Sequence, residues 1–196
     1  MTDSTIRPLA QLARHAAATL KRSSGEQRNV FLRMLAVLLR QQAPAIIAAN
    51  AADLAAAQAA GLSEAMLDRL RLDARRIEGI AADVEHVATL ADPLGERFDV
   101  QLRPNGLAMH KRRVPLGVLG VIYESRPNVT IDVAALAIKT GNAAVLRGGK
   151  EAIESNRILL RIAREALAAS GLPAAALQFI DSTEREATLA LLQLDD

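Results

Sequence analysis

The sequence of 196 residues predicts an α/β fold, in which a layer of helices and a β-hairpin lead into a doubly wound parallel sheet. Residues 1–91 carry apolar side chains at spacings of three and four, which is typical of amphipathic helices. Residues 97–113 alternate around a turn sequence, and after residue 115 short apolar runs alternate with helical patterns, as in βαβ units. We therefore divide the chain into parts at 1–96, 97–114 and 115–196.

Four amphipathic stretches predict the helices of the first part. Proline favours the first turn of a helix and glycine the residue after its end, so Pro44 and Gly61 bound the second stretch. Ser63 is a candidate cap for the third, and the fourth must end before Asp92 and Pro93. The stretches cover residues 30–39, 44–61, 63–70 and 77–87.

The remaining elements follow from turn residues and apolar runs. Pro104, Asn105 and Gly106 favour a hairpin that joins strands 97–103 and 107–113. The run 116–122 is continuously apolar, as expected of a parallel strand covered on both faces. The predicted elements that follow are helix 129–140, strand 143–147, helix 151–170, strand 177–181 and helix 183–193. Because a further strand is expected where the sequence stops, we expect a truncated sheet.

Composition excludes several classes of protein. With 51% apolar residues and a net charge of +2, the chain is not of the disordered class. Zero cysteine excludes disulfides, cysteine-ligated zinc, iron–sulfur clusters and a thiol nucleophile from these residues. His15, His86 and His110 lack the spacing of metal ligands. No apolar run of about 18 residues and no signal pattern occurs, which predicts a cytoplasmic protein without a membrane segment.

Positive charge is concentrated in one segment. Tyr123 is the single tyrosine and there is no tryptophan, so a base-stacking surface for nucleic acid is not expected. The segment favours a small phosphate-bearing ligand over a duplex, which needs a long basic face. Residues 103–150 hold two acids against eight cations, namely Arg103, Lys111, Arg112, Arg113, Arg126, Lys139, Arg147 and Lys150.

Polar residues follow the first predicted parallel strand, where open sheets bind ligands. The loop 123–128 places an acid, a hydroxyl, a guanidinium and an amide directly after an apolar strand. Asn128 either caps the next helix or donates its amide N–H to an oxyanion. Arg126 is either a surface ion-pair residue or a phosphate ligand, and Tyr123 either a half-buried ring or a ligand contact.

The segment 147–150 follows the second parallel strand. Gly148 and Gly149 would allow close backbone approach, the next helix would offer free N–H groups, and Arg147 and Lys150 could meet a phosphate. The alternative is a glycine-rich turn with solvated charges, since neither a dinucleotide fingerprint nor a P-loop motif occurs. The residues 181–183 after the third strand are either an N-cap or a ligand contact, and the arginine-rich helices at 69–76 and 157–164 are interpreted as solvated faces.

Several strings of residues resemble one known family. The string I-Y-E-S-R-P-N-V-T at 122–130 and its apolar lead at 113–121 are similar to the γ-glutamyl phosphate reductase family, as is T-G-N-A-A-V-L-R-G-G-K at 140–150. N-A-A-D-L at 50–54, D-R-L at 68–70 and D-P-L-G-E at 92–96 agree with it. This family is a branch of the aldehyde dehydrogenase superfamily, and the resemblance covers the N-terminal portion of its longer members.

The resemblance implies NADPH-dependent reduction of L-glutamyl 5-phosphate to L-glutamate 5-semialdehyde in proline biosynthesis, with release of phosphate. It implies an aldehyde-dehydrogenase-like fold with 1–96 as the helical part of the cofactor domain, 97–114 as a hairpin of the oligomerisation sheet of a homo-oligomer, and 115–196 as an incomplete Rossmann-like NADP-binding domain. The catalytic domain and the nucleophilic cysteine would lie beyond residue 196, so the chain alone is expected to be inactive.

The resemblance also implies roles for individual residues. Asn128 would stabilise the oxyanion, and Ser125 and Arg126 would bind substrate. Arg147 matches a superfamily lysine that contacts the adenosine ribose or its 2′-phosphate, which favours NADPH. The expected cofactor-binding residues are Tyr123, Glu124, Arg147, Gly148, Gly149 and Lys150.

Two other functions remain open from the sequence. One is another oxidoreductase of the same superfamily that uses NAD. The second is a nucleotide-binding or assembly module without catalysis.

Overall fold

The computed structural model describes residues 3–182 and 184–194. Its first part consists of helices, as the apolar periodicity predicts. Ser24 and Gln27 form a reciprocal capping box at the start of the second helix, and Asp73 accepts the N–H of Arg76 at the start of the fifth. The helices are α1 (Asp3–Leu20), α2 (Gly25–Gln41), α3 (Ala43–Ala59), α4 (Glu64–Leu70) and α5 (Ala74–Thr89).

Two sheets follow, one antiparallel and one parallel. The antiparallel hairpin joins β1 (Arg97–Leu102) to β2 (Ala108–Arg112). The parallel sheet has the strand order β3–β4–β5. Its elements are β3 (Val118–Ile122), α6 (Asn128–Lys139), β4 (Ala143–Arg147), a 3₁₀ turn (Lys150–Ala152), α7 (Ile153–Ala169), a second 3₁₀ turn (Ala174–Ala176), β5 (Leu177–Phe179) and α8 (Arg185–Leu192).

Helices cover both faces of the parallel sheet. The crossover helices α6 and α7 pack against each other, and α2 packs on both of them. The opposite face is covered by α1, which contacts all three strands, and by α8. The central strand β4 is the best covered, because its residues from Ala143 to Leu146 are at most 1% exposed. One hydrophobic core therefore joins the helical layer to the sheet.

The first parallel strand is less covered than the sequence predicts. The run 116–122 was expected to be buried on both faces, but β3 lies at an edge of the described sheet and Ile122 is 42% exposed. Leu116 lies before the strand and is 85% exposed. The expectation of coverage on both faces is wrong, because α1 and α8 contact β3 from one face, whereas the crossover helices α6 and α7 pack on β4 and β5.

Two buried side chains of α3 hold the start of α7. The carboxylate of Asp53 accepts the N–H groups of Glu154 and Ser155, at 3.1 and 2.8 Å, and the hydroxyl of Ser155 at 2.6 Å. Asn50 donates to the carbonyl of Leu70 and to Ser155 Oγ, and its Oδ1 accepts the N–H of Leu72. Asp53 thus acts as a helix cap supplied from a distant part of the chain.

A buried lysine links α6 to two other helices. Lys139 is 5% exposed, and its Nζ donates to Asn29 Oδ1 and to the carbonyl oxygens of Ala88 and Leu90. Burial lowers the pKa of Lys139, while the nearby Asp92 carboxylate opposes that shift. This cation therefore serves the packing of the helices and does not belong to a surface that could meet a phosphate.

No single helix among the described residues is long and apolar enough to span a membrane. The helices α2 and α3, bent by 69° at their junction, meet the length and composition criteria only when they are taken as a pair.

Removal of the Asp53 carboxylate should destabilise the protein strongly. Asp53→Ala leaves two backbone N–H groups and a buried hydroxyl without their acceptor, so we expect a loss of about 2–4 kcal/mol in the free energy of unfolding. Urea denaturation followed by circular dichroism measures this loss. Asp73→Ala removes an exposed cap with one acceptor bond and is the control, with an expected loss of about 0.5–1.5 kcal/mol. Equal losses in the two variants would contradict the role of Asp53.

Candidate active site at the carboxyl ends of β3 and β4

The loops that follow β3 and β4 lie side by side at one edge of the parallel sheet. Ile122 pairs with Arg147 in the strand register, and the N–H of Tyr123 donates to the carbonyl of Arg147 at 3.0 Å. The loop 123–128 and the segment 147–150 therefore begin at the same point of the sheet. The structure brings together the two groups of residues that the sequence singled out.

Tyr123 belongs to a buried chain of hydrogen bonds. Its hydroxyl lies 2.6 Å from Thr130 Oγ1, and the Thr130 hydroxyl donates to Asn156 Oδ1 at 2.8 Å. Because the threonine proton is used in that second bond, the Tyr123 hydroxyl must donate to Thr130. Burial raises the pKa of Tyr123 to about 12. The phenol is therefore neutral at pH 7. The amide nitrogen Nδ2 of Asn156, at the far end of these hydrogen bonds, is buried and has no hydrogen-bond partner in residues 3–182 and 184–194.

The next three residues form a tight turn that leaves one cation free. The N–H of Arg126 donates to the carbonyl of Glu124 at 2.8 Å. Ser125 is buried, and its hydroxyl donates to the carboxylate of Glu151 in the 3₁₀ turn after β4. Arg126 is exposed, and no described residue forms a side-chain hydrogen bond or ion pair with it. The guanidinium of Arg126 is thus available to an anion, whereas the Ser125 proton is engaged within the protein.

Asn128 is the first residue of α6, and its side chain does not cap that helix. Pro127 holds the N-cap position, and the amide of Asn128 donates to Asp132 Oδ2 at 2.9 Å. The capping interpretation of Asn128 is therefore wrong. A primary amide has two N–H groups, so one remains for a ligand oxygen.

The pKa of Asp132 is raised, first by burial and second by the nearby Asp83 carboxylate, while the hydrogen bond from Asn128 opposes the rise. Asp83 is exposed, and within the described residues it has no hydrogen bond or ion pair of its own. Two carboxylates thus lie near the amide of Asn128.

The segment after β4 differs from the sequence expectation at the helix N-terminus. The N–H groups of Glu154 and Ser155, which were expected to be free for an anion, are occupied by Asp53. At Gly148 a Cβ atom would lie 2.2 Å from Asn156 Nδ2 and 3.0 Å from the Tyr123 ring. Glycine at this position is therefore explained by packing inside the protein.

Two cations of this segment are positioned at its surface. Arg147 is partly buried and donates through one terminal nitrogen to the carbonyl of Gly148 at 2.8 Å, while its Nε is buried and has no hydrogen-bond partner in the described part of the chain. Lys150 is exposed, and no described residue pairs with it. At Gly149 a Cβ atom would meet the Glu151 carboxylate at 2.5 Å, so this glycine is also closely packed.

Most of the remaining cations in the segment 103–150 are engaged elsewhere. Lys111 pairs with Asp99, Arg113 pairs with Glu96, and Lys139 is buried. The cations that lie at the sheet edge are therefore Arg126, Arg147 and Lys150.

A cleft of about 380 Å³ extends from the loop 123–128 toward α4 and α5. Its arginines other than Arg126 belong to the segment 69–76, for which the sequence predicts only a solvated face. They are solvated and they line this cleft as well. A second hollow of about 150 Å³ shares Asp83 with the cleft and adds Asp132. Lining residues of the cleft include Arg69, Arg71, Arg76, Asp83, Arg126 and Asn128.

The segment after β5 is held by an ion pair. Both carboxylate oxygens of Asp181 accept hydrogen bonds from Arg157 at 2.7–3.0 Å. Glu184 takes the N-cap position of α8, so Asp181 is not the cap, and Thr183 lies outside the described residues. A hollow of about 240 Å³ beside this pair is lined by Arg157, Arg161 and Arg164, on the second face that was interpreted as solvated. In the part of the chain that the structure describes, no group of side chains suits a metal ion.

The model of the aldehyde dehydrogenase family matches residues 1–196. The chain belongs to this family. Among curated members, the γ-glutamyl phosphate reductase of Dehalococcoides mccartyi strain 195 is 51% identical over 191 residues, which are 97% of this chain and 45% of that protein. The enzyme of the same name from Aeromonas salmonicida is 52% identical over 97% of this chain and 46% of its own length. The predicted resemblance is confirmed, and the chain spans slightly less than half of these relatives.

Solved structures of this family agree with the fold. The γ-glutamyl phosphate reductase of Thermotoga maritima superposes with a TM-score of 0.94 at 36% identity, over 96% of this chain and 46% of that one. A benzaldehyde dehydrogenase from Corynebacterium glutamicum superposes with a TM-score of 0.78 at 19% identity, over 100% of this chain and 39% of that one. The predicted aldehyde-dehydrogenase-like α/β fold is confirmed.

A methyl group at position 148 should disturb the packing between the two loops. Gly148→Ala places a Cβ against Asn156 and the Tyr123 ring, so we expect a loss of about 1–3 kcal/mol in the free energy of unfolding. Gly79→Ala is the control, because a Cβ in that helix meets nothing within 4 Å and alanine favours helices by about 0.5–1 kcal/mol. Denaturant unfolding compares them, and a stable Gly148→Ala variant would refute the packing argument.

Substitutions of Asp83 and of Asn128 should shift the pKa of Asp132 in opposite directions. Asp83→Asn removes a like charge and lowers the pKa of Asp132, whereas Asn128→Ala removes a hydrogen bond and raises it. NMR titration of the carboxyl carbon measures both shifts, with Asp99 as an unaffected reference. Because the folded pKa lies above the unfolded value, the contribution of Asp132 to stability falls as pH rises through the interval between the two. Asp132→Asn should reduce this loss of stability with rising pH. If Asp83→Asn and Asn128→Ala shifted the pKa of Asp132 in the same direction, the stated causes of its raised pKa would be contradicted.

Proposed function

We propose that this chain forms part of a γ-glutamyl phosphate reductase of proline biosynthesis. The reaction is the NADPH-dependent reduction of L-glutamyl 5-phosphate to L-glutamate 5-semialdehyde with release of phosphate. The observation that carries the proposal is about 50% identity to enzymes of that name over 97% of the chain. The convergence of Arg126, Asn128 and Arg147 at one edge of the sheet supports it.

The loop after β3 would hold the reacting group. Attack on the acyl phosphate places negative charge on the carbonyl oxygen, and a preorganised amide N–H stabilises such an oxyanion. Asn128 has one N–H left after its bond to Asp132, and Asp132 fixes the orientation of the amide. Arg126, exposed and without a side-chain partner among the described residues, is our candidate for the phosphate group, and Ser125 shapes this loop through its bond to Glu151.

The second loop would hold the cofactor. NADPH supplies the hydride that reduces the acyl group when it is bound. Arg147 fits a phosphate or ribose, because its buried Nε lacks a hydrogen-bond partner among the described residues, and Lys150 adds an exposed cation. The cofactor surface would be shaped by close packing between the two loops. Gly148 lies against Tyr123, and Gly149 lies against the backbone of Glu124.

The nucleophile must come from outside these residues. Formation of a thioester requires a cysteine thiolate, and the 196 residues contain no cysteine. We therefore expect the chain alone to lack turnover. The parts at 1–96 and 115–196 would belong to the cofactor domain, Rossmann-like in its second part, and the exposed hairpin at 97–114 would contribute to a homo-oligomer in the cytoplasm.

Activity should appear when the missing part is supplied. A chimaera would join this chain to the portion of the Aeromonas salmonicida enzyme that the chain does not cover. It is assayed in the reverse direction by NADP⁺ reduction with L-glutamate 5-semialdehyde and phosphate. In this chimaera, Arg126→Ala should raise the KM for phosphate about tenfold or more, because a charge-assisted bond is lost, and should leave the KM for NADP⁺ unchanged.

Two comparisons complete this test. Arg103→Ala, an exposed hairpin arginine, is the control and should change neither constant. Arg147→Gln should raise the KM for NADP⁺ more than that for NAD⁺, since the 2′-phosphate distinguishes the two. A soluble chimaera without turnover would reject the proposed reaction, and an unchanged kcat/KM for phosphate in Arg126→Ala would remove Arg126 from the mechanism.

A further inference from the structure

The cleft beside the proposed active site has a volume suited to a small ligand. Its volume of about 380 Å³ lies within the usual range of about 300–1,000 Å³ for ligand pockets. Arg126 and Asn128 line it together with residues of α4, of α5 and of the segment between them. A molecule whose reacting group lies at Asn128 would extend into this cleft.

Two arginines of the cleft have side chains that no described residue pairs with. Arg76 is engaged, because it pairs with Asp68 at 2.6 Å and donates to the carbonyl of Arg71 at 2.9 Å. The side chains of Arg69 and Arg71 are exposed, and no described residue forms a hydrogen bond or ion pair with them. Both can therefore bind an anion without first losing an internal contact.

Carboxylates lie where the cleft adjoins the smaller hollow, which Asp132 lines. Asp83 lines both the cleft and the adjoining hollow, and it faces Asp132 closely enough for the two charges to repel. The second oxygen of Asp132 is free of the bond to Asn128. A cation placed between Asp83 and Asp132 would offset this repulsion.

We propose that the cleft binds the amino-acid end of the substrate, with its α-carboxylate at Arg69 and Arg71 and its α-ammonium group at Asp83 and Asp132. The identity of the ligand rests on the proposed function. The pattern of charges matches an α-amino acid that carries a further anionic group, because the acyl phosphate then lies at Arg126 and Asn128. An uncharged aldehyde would leave these side chains unpaired, so the cleft selects for the zwitterion.

Direct binding to the 196-residue chain tests the assignment with three small probes. L-Glutamate carries all the groups, with its side-chain carboxylate in the position of the acyl phosphate. Glutarate lacks the ammonium group, and 4-aminobutanoate lacks the α-carboxylate. Chemical shifts of backbone amides follow each titration, and L-glutamate should bind about tenfold or more tightly than either analogue, since each lost group removes a charge-assisted bond.

Variants separate the two halves of the cleft. Asp83→Asn should weaken L-glutamate binding to the level of glutarate and leave glutarate unchanged. The double variant Arg69→Gln, Arg71→Gln should lower the affinity for L-glutamate to that for 4-aminobutanoate and leave the affinity for 4-aminobutanoate unchanged. Glu64→Gln and Arg75→Gln are matched controls on the same helices, outside the cleft, and should have no effect.

The outcomes decide between this inference and the proposed function. Equal affinity for the three probes, or variants that lower all affinities alike, would overturn the inference. In the active chimaera, Asp83→Asn should also raise the KM for L-glutamate 5-semialdehyde about tenfold with the KM for NADP⁺ unchanged. Turnover of the chimaera with an unchanged KM for L-glutamate 5-semialdehyde rejects the cleft assignment alone. Selective binding of L-glutamate by the 196-residue chain, together with a soluble chimaera that has no turnover, supports the cleft and rejects the reductase reaction.

Discussion

The carboxylate of Asp53 at the start of α7 is the contact on which the geometry of the site depends. It replaces the anion that the N-terminus of α7 would otherwise attract, and it fixes that helix against α3. The 3₁₀ turn and the segment 147–150 precede α7 directly, so their position follows from this contact. Asn50, one helical turn earlier, holds the backbone at Leu70 and Leu72, and Arg71 lies between these two residues. The buried polar cluster of Asn50, Asp53 and Ser155 thus positions both the segment 147–150 and the backbone that carries Arg71.

The fold could be predicted wherever local patterns decide it. The strand 143–147 agrees with β4 at both ends, because its run of alanine, valine and leucine is bounded by Asn142 and Gly148. The coverage of β3 could not be predicted in the same way, since an apolar run does not reveal which helices pack on each face of a strand. The start of α7 was misjudged for a related reason, because its capping carboxylate lies about 100 residues earlier in the chain.

The site could be predicted in part. The rule that ligands bind beyond the carboxyl ends of parallel strands identified the loops 123–128 and 147–150. The arginines of the cleft were missed because they lie fifty or more residues before Arg126, in α4, in α5 and between them, where no local pattern determines the packing. The count of cations in residues 103–150 was only a coarse guide to an anion site. It included Lys139, which is buried and donates to carbonyl oxygens. The signal that could have found Arg69 was the D-R-L string, which had been noted for its resemblance alone.

The hairpin is the least supported element of the described chain. Every residue of β1 and β2 is exposed, the register shifts between Phe98 and Gln101, and Asp99 has a φ of 54°. A two-stranded hairpin on its own is marginally stable in water. Its amides should therefore exchange with solvent deuterium through local opening, at a rate independent of the global unfolding that governs β4. The order of this segment therefore does not depend on the hydrophobic core, to which no residue of β1 or β2 belongs.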